Sequence, residues 1–346
     1  MPARDRYDFA SDNAAAICPE AWAALTQANE EAAAAPYGDD RWTKRVCDRV
    51  REIFETDCAV FLVFNGTAAN SLALAQLCRP FQSILCHEHA HIETDECGAP
   101  EFFSGGSKLL RVAGAQGKID LAAAAEVIAR QSALHAAQPR VLSLTQATEL
   151  GTLYRPAEVE AIAAFAQRYA LRLHMDGARF ANAVASLGCK PREITWERGI
   201  DVLTLGGTKN GVGAGELVVF FGRELSRDFE YRAKQGGQLA SKMRFLAAPW
   251  LALLENDVWL KNAGNANEGA KTLATKLGLE PVFPREANAL FLRLSEEKAS
   301  RLEKRGWHFY KFIEPDVYRL MCSWATTDKA IAEFAADFRN TGFQPV

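Results

Sequence analysis

One reactive side chain, Lys209, stands among glycines in the segment 201–216, DVLTLGGTKNGVGAGE. Val202, Leu203 and Leu205 predict a short apolar strand, and the small residues after it let the backbone approach a ligand closely. A lysine in such a pocket can lose its charge and attack a carbonyl carbon, which opens Schiff-base catalysis. Taken alone, the segment also reads as a glycine-rich turn with a solvated lysine. The stretch 171–180, LRLHMDGARF, narrows the choice. It is an apolar strand with Asp176 at its C-terminal end, where open α/β sheets bind ligands. A carboxylate there can keep a heterocyclic nitrogen protonated. The two strands are successive, so Asp176 and Lys209 are expected to face one crevice.

Other groups extend the candidate site. Residues 58–64, CAVFLVF, predict a buried strand, after which Asn65-Gly66-Thr67 opens a helix to about Leu77. Backbone N–H groups at a helix N-terminus lack intrahelical partners and can hold a phosphate, with the Thr67 hydroxyl as a further donor. Without the neighbouring groups, this is a plain strand-to-helix turn. The run CHEHAHIETDE at 86–96 spaces His87, His89 and His91 at alternate positions. On a strand they would share one face as metal ligands, which supports a rival reading as a metal-dependent hydrolase. A helix beginning within the run would spoil that alternation. Only His135, His174 and His308 lie elsewhere, few for a two-metal site. Arg179 and Arg319 offer planar guanidinium groups suited to a carboxylate. Arg319 is also readable as an edge-strand arginine, and Ser11 as a helix cap.

The chain resembles the L-threonine aldolases, pyridoxal-phosphate enzymes of the aspartate-aminotransferase-like fold (fold type I). The matching pieces are SDNAA at 11–15, YGDD at 37–40, NGTAAN at 65–70, HMDGARFANA at 174–183, GGTKNG at 206–211 and RLMCSWATT at 319–327. They occur in the family's order along nearly the whole chain. The resemblance implies that Lys209 carries pyridoxal 5'-phosphate and that Asp176 meets its ring nitrogen. Gly66, Thr67 and Arg179 would complete the cofactor site, and His91 would stack on the ring, with Asp95 one helical turn on. Ser11, Asp95, Arg179 and Arg319 would bind the substrate. A second histidine of the family matches His135, which precedes a strand and therefore lies away from its own crevice. It would act in a neighbouring subunit, if at all, and His91 or a water is the other choice of base. The basic segment 231–244 would approach a neighbour's cofactor phosphate through Arg232, Lys234 or Lys242. The implied activity is retro-aldol cleavage of L-threonine, L-allo-threonine and related β-hydroxy amino acids to glycine and an aldehyde, in a homodimer or homotetramer with shared sites. A β-eliminating lyase or aminotransferase would use the same lysine, aspartate and phosphate cradle.

These residues need a scaffold, and the pattern from 108 to 220 supplies one. Strand-like runs (KLLRV, VLSLT, LRLHMD, DVLTLG, ELVVFF) alternate with helices near 120–133 and 157–169. That alternation predicts an α/β fold with a mostly parallel, seven-stranded-type sheet. A helix at about 246–276 leads to a smaller α+β domain with strands near 287–294 and 317–322 and helices near 295–305 and 328–340. The expected division is a large cofactor domain at 15–250 and a small domain built from 1–14 and 251–346. A chain of 346 residues exceeds the usual size of one core. A formal net charge of -3 gives no electrostatic case for nucleic acid or an anionic membrane. No apolar run reaches the roughly 20 residues of a membrane span, and the charged start MPARDRYDF does not read as a signal peptide. The eight cysteines show no CxxC spacing and read as reduced, buried thiols of a cytoplasmic protein.

Overall fold

The computed structural model describes residues 5–341. Its central sheet contains β1 (Ala59–Val63), β2 (Gln82–His87), β3 (Lys108–Val112), β4 (Gln138–Thr145), β5 (Arg172–Gly177), β6 (Val202–Leu205) and β7 (Glu216–Phe220) in the order β1-β7-β6-β5-β4-β2-β3. The pairs from β6 to β3 are parallel, while β7 is antiparallel to both of its neighbours. Side-chain alternation fills both faces. Leu85, Leu203, Leu217 and Val219 join one core, and Ile84, Cys86, Val202, Val218 and Phe220 join the other.

The helices follow from local chemistry. Asp40 caps Arg41–Phe54 by accepting the Thr43 N–H at 2.8 Å, and Trp42, Val46, Val50 and Phe54 line its buried face at every fourth position. The helix Arg244–Leu254 packs on that helix and on Pro19–Glu30, so the Asp40 loop becomes a structural corner. The helix Gly66–Leu77 is buried on nearly every side against the opposite sheet face. The single helix expected near 246–276 is two, Arg244–Leu254 and Val258–Leu277. Asn256 and Asp257 adopt left-handed backbone (φ 52° and 55°) between them, a conformation that Asn and Asp tolerate better than most residues.

A second sheet joins β8 (Ala289–Arg293), β9 (Tyr310–Ile313) and β10 (Val317–Met321) in the antiparallel order β8-β10-β9. The short β9 lacks any marked alternation and was not expected. Leu290, Leu292 and Leu320 face the helices Val258–Leu277 and Asp328–Asn340, together with Phe9 from the N-terminal segment. Phe291, Val317 and Met321 face the other way, toward Leu150 of the large sheet's loops. Strand alternation puts Arg319 on that inward side with Val317 and Met321. Residues 1–4 and 342–346 of the expected small domain lie outside the described residues. All eight cysteines are free; Cys18, Cys58, Cys78, Cys86 and Cys322 are buried as expected, Cys47 and Cys189 are half-buried, and Cys97 is exposed in the turn after Glu96.

Gly206 and Gly207, at the end of β6, are required by close approach. A Cβ on Gly206 would sit 2.5 Å from the Ala178 carbonyl oxygen, and one on Gly207 would enter the Trp250 indole. Gly206→Ala is expected to lose about 1–3 kcal/mol through overpacking, read as a lower urea midpoint with an unchanged slope.

Candidate active site

The C-terminal ends of the parallel strands form one rim, and antiparallel β7 contributes its N-terminal end to it. Asp176 lies at the end of β5, buried, with Oδ1 accepting the Ala178 N–H at 3.0 Å and Oδ2 accepting from Asn70 Nδ2 at 2.8 Å. Two residues back on the same face, His174 meets Ser143 Oγ at 2.9 Å and Thr204 Oγ1 at 3.1 Å. Burial pushes its pKa down against the opposing pull of Asp176.

Lys209 sits in the short 3-10 turn Thr208–Asn210, just beyond β6. The turn is held by three hydrogen bonds. Gly207 N–H donates to Glu216 Oε2 at 2.6 Å, Asn210 Nδ2 donates to the Trp259 carbonyl at 2.9 Å, and Asn262 Nδ2 donates to the Asn210 carbonyl at 2.8 Å. Burial raises the Glu216 pKa, while Thr208, the Gly207 N–H and Lys209 oppose the rise. On the opposite side of the rim, Asn65 caps the helix Gly66–Leu77. Its side chain takes the Ala68 N–H at 2.9 Å and its carbonyl the Ala69 N–H at 3.1 Å. The N–H groups of Gly66 and Thr67 are left to point outward, and the space over Gly66 is open.

A third wall carries positive charge. Arg179 is buried and forms a two-point ion pair with Asp12, Nε to Oδ2 at 2.7 Å and Nη2 to Oδ1 at 3.0 Å. Asn288 Nδ2 also donates to Asp12 Oδ2, at 3.1 Å. Burial works to raise the Asp12 pKa, but Arg179, Lys209 and these hydrogen bonds together hold it below its ordinary value. Arg319 lies close enough for burial and then Arg179 to depress its own pKa, and its Nε is buried without a partner. Arg179, Arg319 and Lys209 all act on Asp12, while Glu149 also acts on both arginines and Asp176 on Arg179.

A model of the beta-eliminating lyase family matches residues 8–296. The low specificity L-threonine aldolase of Pseudomonas sp. (strain NCIMB 10558) is 55% identical over 335 residues, 96% of each chain. The chain belongs to the threonine aldolases of that family. It is therefore a lyase. The low specificity L-threonine aldolase of Escherichia coli (strain K12) is 28% identical over 88% of this chain and 90% of that one. The structure of threonine aldolase from Leishmania major superposes with a TM-score of 0.91 at 26% identity, over 97% of this chain and 99% of that one.

Of the residues that likeness to the threonine aldolases singled out, the fold gathers Lys209, Asp176, Gly66, Thr67, Arg179 and Arg319 around one crevice. His91 is tied to them through Glu96. Ser11 accepts the Asn13 N–H at 3.2 Å and caps the 3-10 turn Asp12–Ala14, not the helix Pro19–Glu30. His91 opens the short helix His91–Thr94, and Asp95 lies 3.5 Å from its Nε2 but is mostly exposed. The alternating histidines do not share a strand face. His87 ends β2 with Nε2 3.0 Å from the Gly114 carbonyl oxygen, and His89 lies in the turn beyond it. His135 is exposed in the loop before β4, at the sheet's opposite edge. The eight residues of β4, roughly 26 Å of extended chain, separate that loop from the crevice. Arg232 is bound to Gln76 Oε1 at 3.1 Å, and Lys234 lies over the Tyr37 ring at 5.3 Å.

Sequence reasoning missed the polar residues that hold the named ones. Glu96 Oε1 meets His91 Nδ1 at 2.8 Å and receives Asn70 Nδ2 at 2.8 Å. Hydrogen bonding to Glu96 raises the His91 pKa against the effect of burial, and burial raises that of Glu96. Asn70 was detectable as a carboxamide in the middle of the mostly small and apolar run GTAANSLALAQL. Asp12 stood inside a quoted motif, but nothing local announces its pairing with a residue 167 positions away.

Replacing Asp12 by Asn leaves the Arg179 charge buried without its partner. The expected loss is about 3–5 kcal/mol at neutral pH by chemical denaturation. The folded-state pKa of Asp12 is depressed, so its contribution is complete above the ordinary 3.8 and is lost as pH falls through the lower folded value. The gap between wild type and Asp12→Asn should therefore close on acidification, and a gap that widened below pH 3.8 would contradict the pairing.

Proposed function

We propose that this chain is a pyridoxal-phosphate-dependent aldolase that cleaves L-threonine, L-allo-threonine and related β-hydroxy-α-amino acids to glycine and an aldehyde. The observation that carries the reading is the meeting of Asp176 and the Lys209 turn at the ends of adjacent parallel strands, across from an unspent helix N-terminus. The donor set fits the cofactor. Lys209 would hold its aldehyde, Asp176 its ring nitrogen, the N–H groups of Gly66 and Thr67 its phosphate, and His91 its ring face. When bound, pyridoxal phosphate supplies a carbonyl for amine exchange and an electron-poor ring that accepts the electron pair released by Cα–Cβ cleavage.

The protein's own groups do the rest. Arg319, supported by Arg179 and Ser11, binds the amino-acid carboxylate beside Asp12, and this fixes which bond to Cα stands ready to break. Asp176, held by Asn70 and the Ala178 N–H, keeps its charge aimed into the crevice. A histidine takes the β-hydroxyl proton. We assign that role within the crevice to His91, which Glu96 and Asn70 link to Asp176. His135, at the far edge of the sheet, can serve only the crevice of a second copy, and we propose a homodimer or homotetramer with shared sites on that ground.

Incubation with L-threonine should yield glycine and acetaldehyde in equal amounts, and Lys209→Ala should abolish both. Borohydride reduction should place the pyridoxyl label on Lys209, and a label on any other lysine would refute the assignment. Arg319→Ala should weaken apparent threonine binding by about 1.5–3 kcal/mol, the value of a hydrogen bond to a charged group.

Shared sites make a separate prediction. Mixing inactive Lys209→Ala chains with impaired His135→Ala chains should restore activity, since some mixed oligomers then hold one intact site. Subunit exchange without any recovery would leave His91 or water as the base.

A further inference from the structure

Asn70 occupies a costly position. Every residue from Ala68 to Ala75 of its helix is buried, and an apolar side chain there would need no partner. The two amide protons of Asn70 both go to carboxylates, one to Glu96 Oε1 and one to Asp176 Oδ2, each at 2.8 Å. The same Glu96 oxygen faces His91 Nδ1 at 2.8 Å. One carboxamide therefore joins the aspartate of the crevice to the histidine–glutamate pair. The remaining acceptors, Asn70 Oδ1 and Glu96 Oε2, are buried without partners, so the amide is oriented by its two donated bonds alone.

We propose that Asn70 is a positioning residue that sets how tightly the His91–Glu96 pair holds its proton, while fixing Asp176 with its other N–H. The role deepens the aldolase reading and rests on it. A hydrogen bond donated to a carboxylate stabilises the charged form and makes the oxygen less basic. Glu96 strengthens the hold of His91 on its proton, and Asn70, by donating to the same oxygen, weakens that pull. The two residues act on the pair in opposite senses. Other charges face it as well. From its own turn this is Asp95 at Nε2; from β5 it is Asp176, and from the loop after β4 it is Glu149. The helix Gly66–Leu77 presents no ionisable side chain, and Asn70 supplies its hydrogen bonds to Glu96 and Asp176. A base that must accept and return a proton near neutral pH works best with balanced affinity, and this arrangement supplies an adjustment in each direction.

The test is a nuclear magnetic resonance titration of the histidine ring protons in cofactor-free protein, with His91 assigned by its absence in His91→Asn. Glu96→Gln should move the His91 midpoint to lower pH. Asn70→Leu, which roughly fills the same space and admits no replacement water, should move it to higher pH. Should Asn70→Leu fail to fold by circular dichroism, Asn70→Ser, which keeps a single donor, should give a smaller upward shift. An unchanged or lowered midpoint in the folded Asn70 variant overturns the proposal. The readout is independent of the reaction. Expected shifts in a protein that does not cleave threonine would remove the aldolase reading alone, and threonine cleavage with an unmoved midpoint would remove only the role of Asn70.

Discussion

The ion pair between Asp12 and Arg179 is the contact on which the crevice depends. Two ions removed from water are stable together only when geometry and extra hydrogen bonds are good, and here a two-point fork and Asn288 meet that condition. The pair draws three separate parts of the chain into one place: the N-terminal turn, the loop after β5 and the start of β8. Met321 of β10 closes the fourth side, with Sδ 3.0 Å from Arg179 Nη2. Arg319 reaches the crevice because its strand is positioned by these contacts. Without Asp12, the two arginines would face each other across a low-dielectric gap.

Around this corner the site divides its labour between backbone and side chains. Strand ends and a helix start supply fixed dipoles and close approach, which demand little of side-chain identity beyond glycine. The reactive groups are then aimed by buried amides: Asn70 on Asp176 and Glu96, Asn262 on the Lys209 turn, Asn288 on Asp12. An amide serves this purpose because it donates two directed bonds and carries no net charge to desolvate. The crevice is in this sense a set of ionisable groups steered by neutral ones.

How much of this could be read in advance follows from range. Lys209, Asp176 and the Gly66–Thr67 helix start are strand-end features, and a strand followed by glycines or an aspartate is visible within a few residues. The parallel sheet was legible for the same reason, since strand and helix periodicities alternate along the chain. The break at Asn256–Asp257 was not, because helix-compatible residues flank it on both sides and only two left-handed dihedral pairs interrupt them. Glu96 looked like one more acid in ETDE, and its burial comes from the helix Gly66–Leu77 packed over it. Ser11 shows the limit from the other side. Its capping bond is local and readable, and its place beside Arg179 depends on Asp12.

Phe9 has a consequence for how the protein folds. Its ring packs against Trp307 and Phe334, and Arg6 bridges to Trp307 while the Phe9 carbonyl accepts the Met321 N–H at 3.0 Å. Phe9 and its neighbours are thus seated on partners some 300 positions later in the chain. The same segment carries Asp12 to Arg179, which occupies the N-cap position of the helix after β5. The crevice therefore closes through contacts between distant parts of the chain, the kind whose loop-closure entropy makes them slow to form.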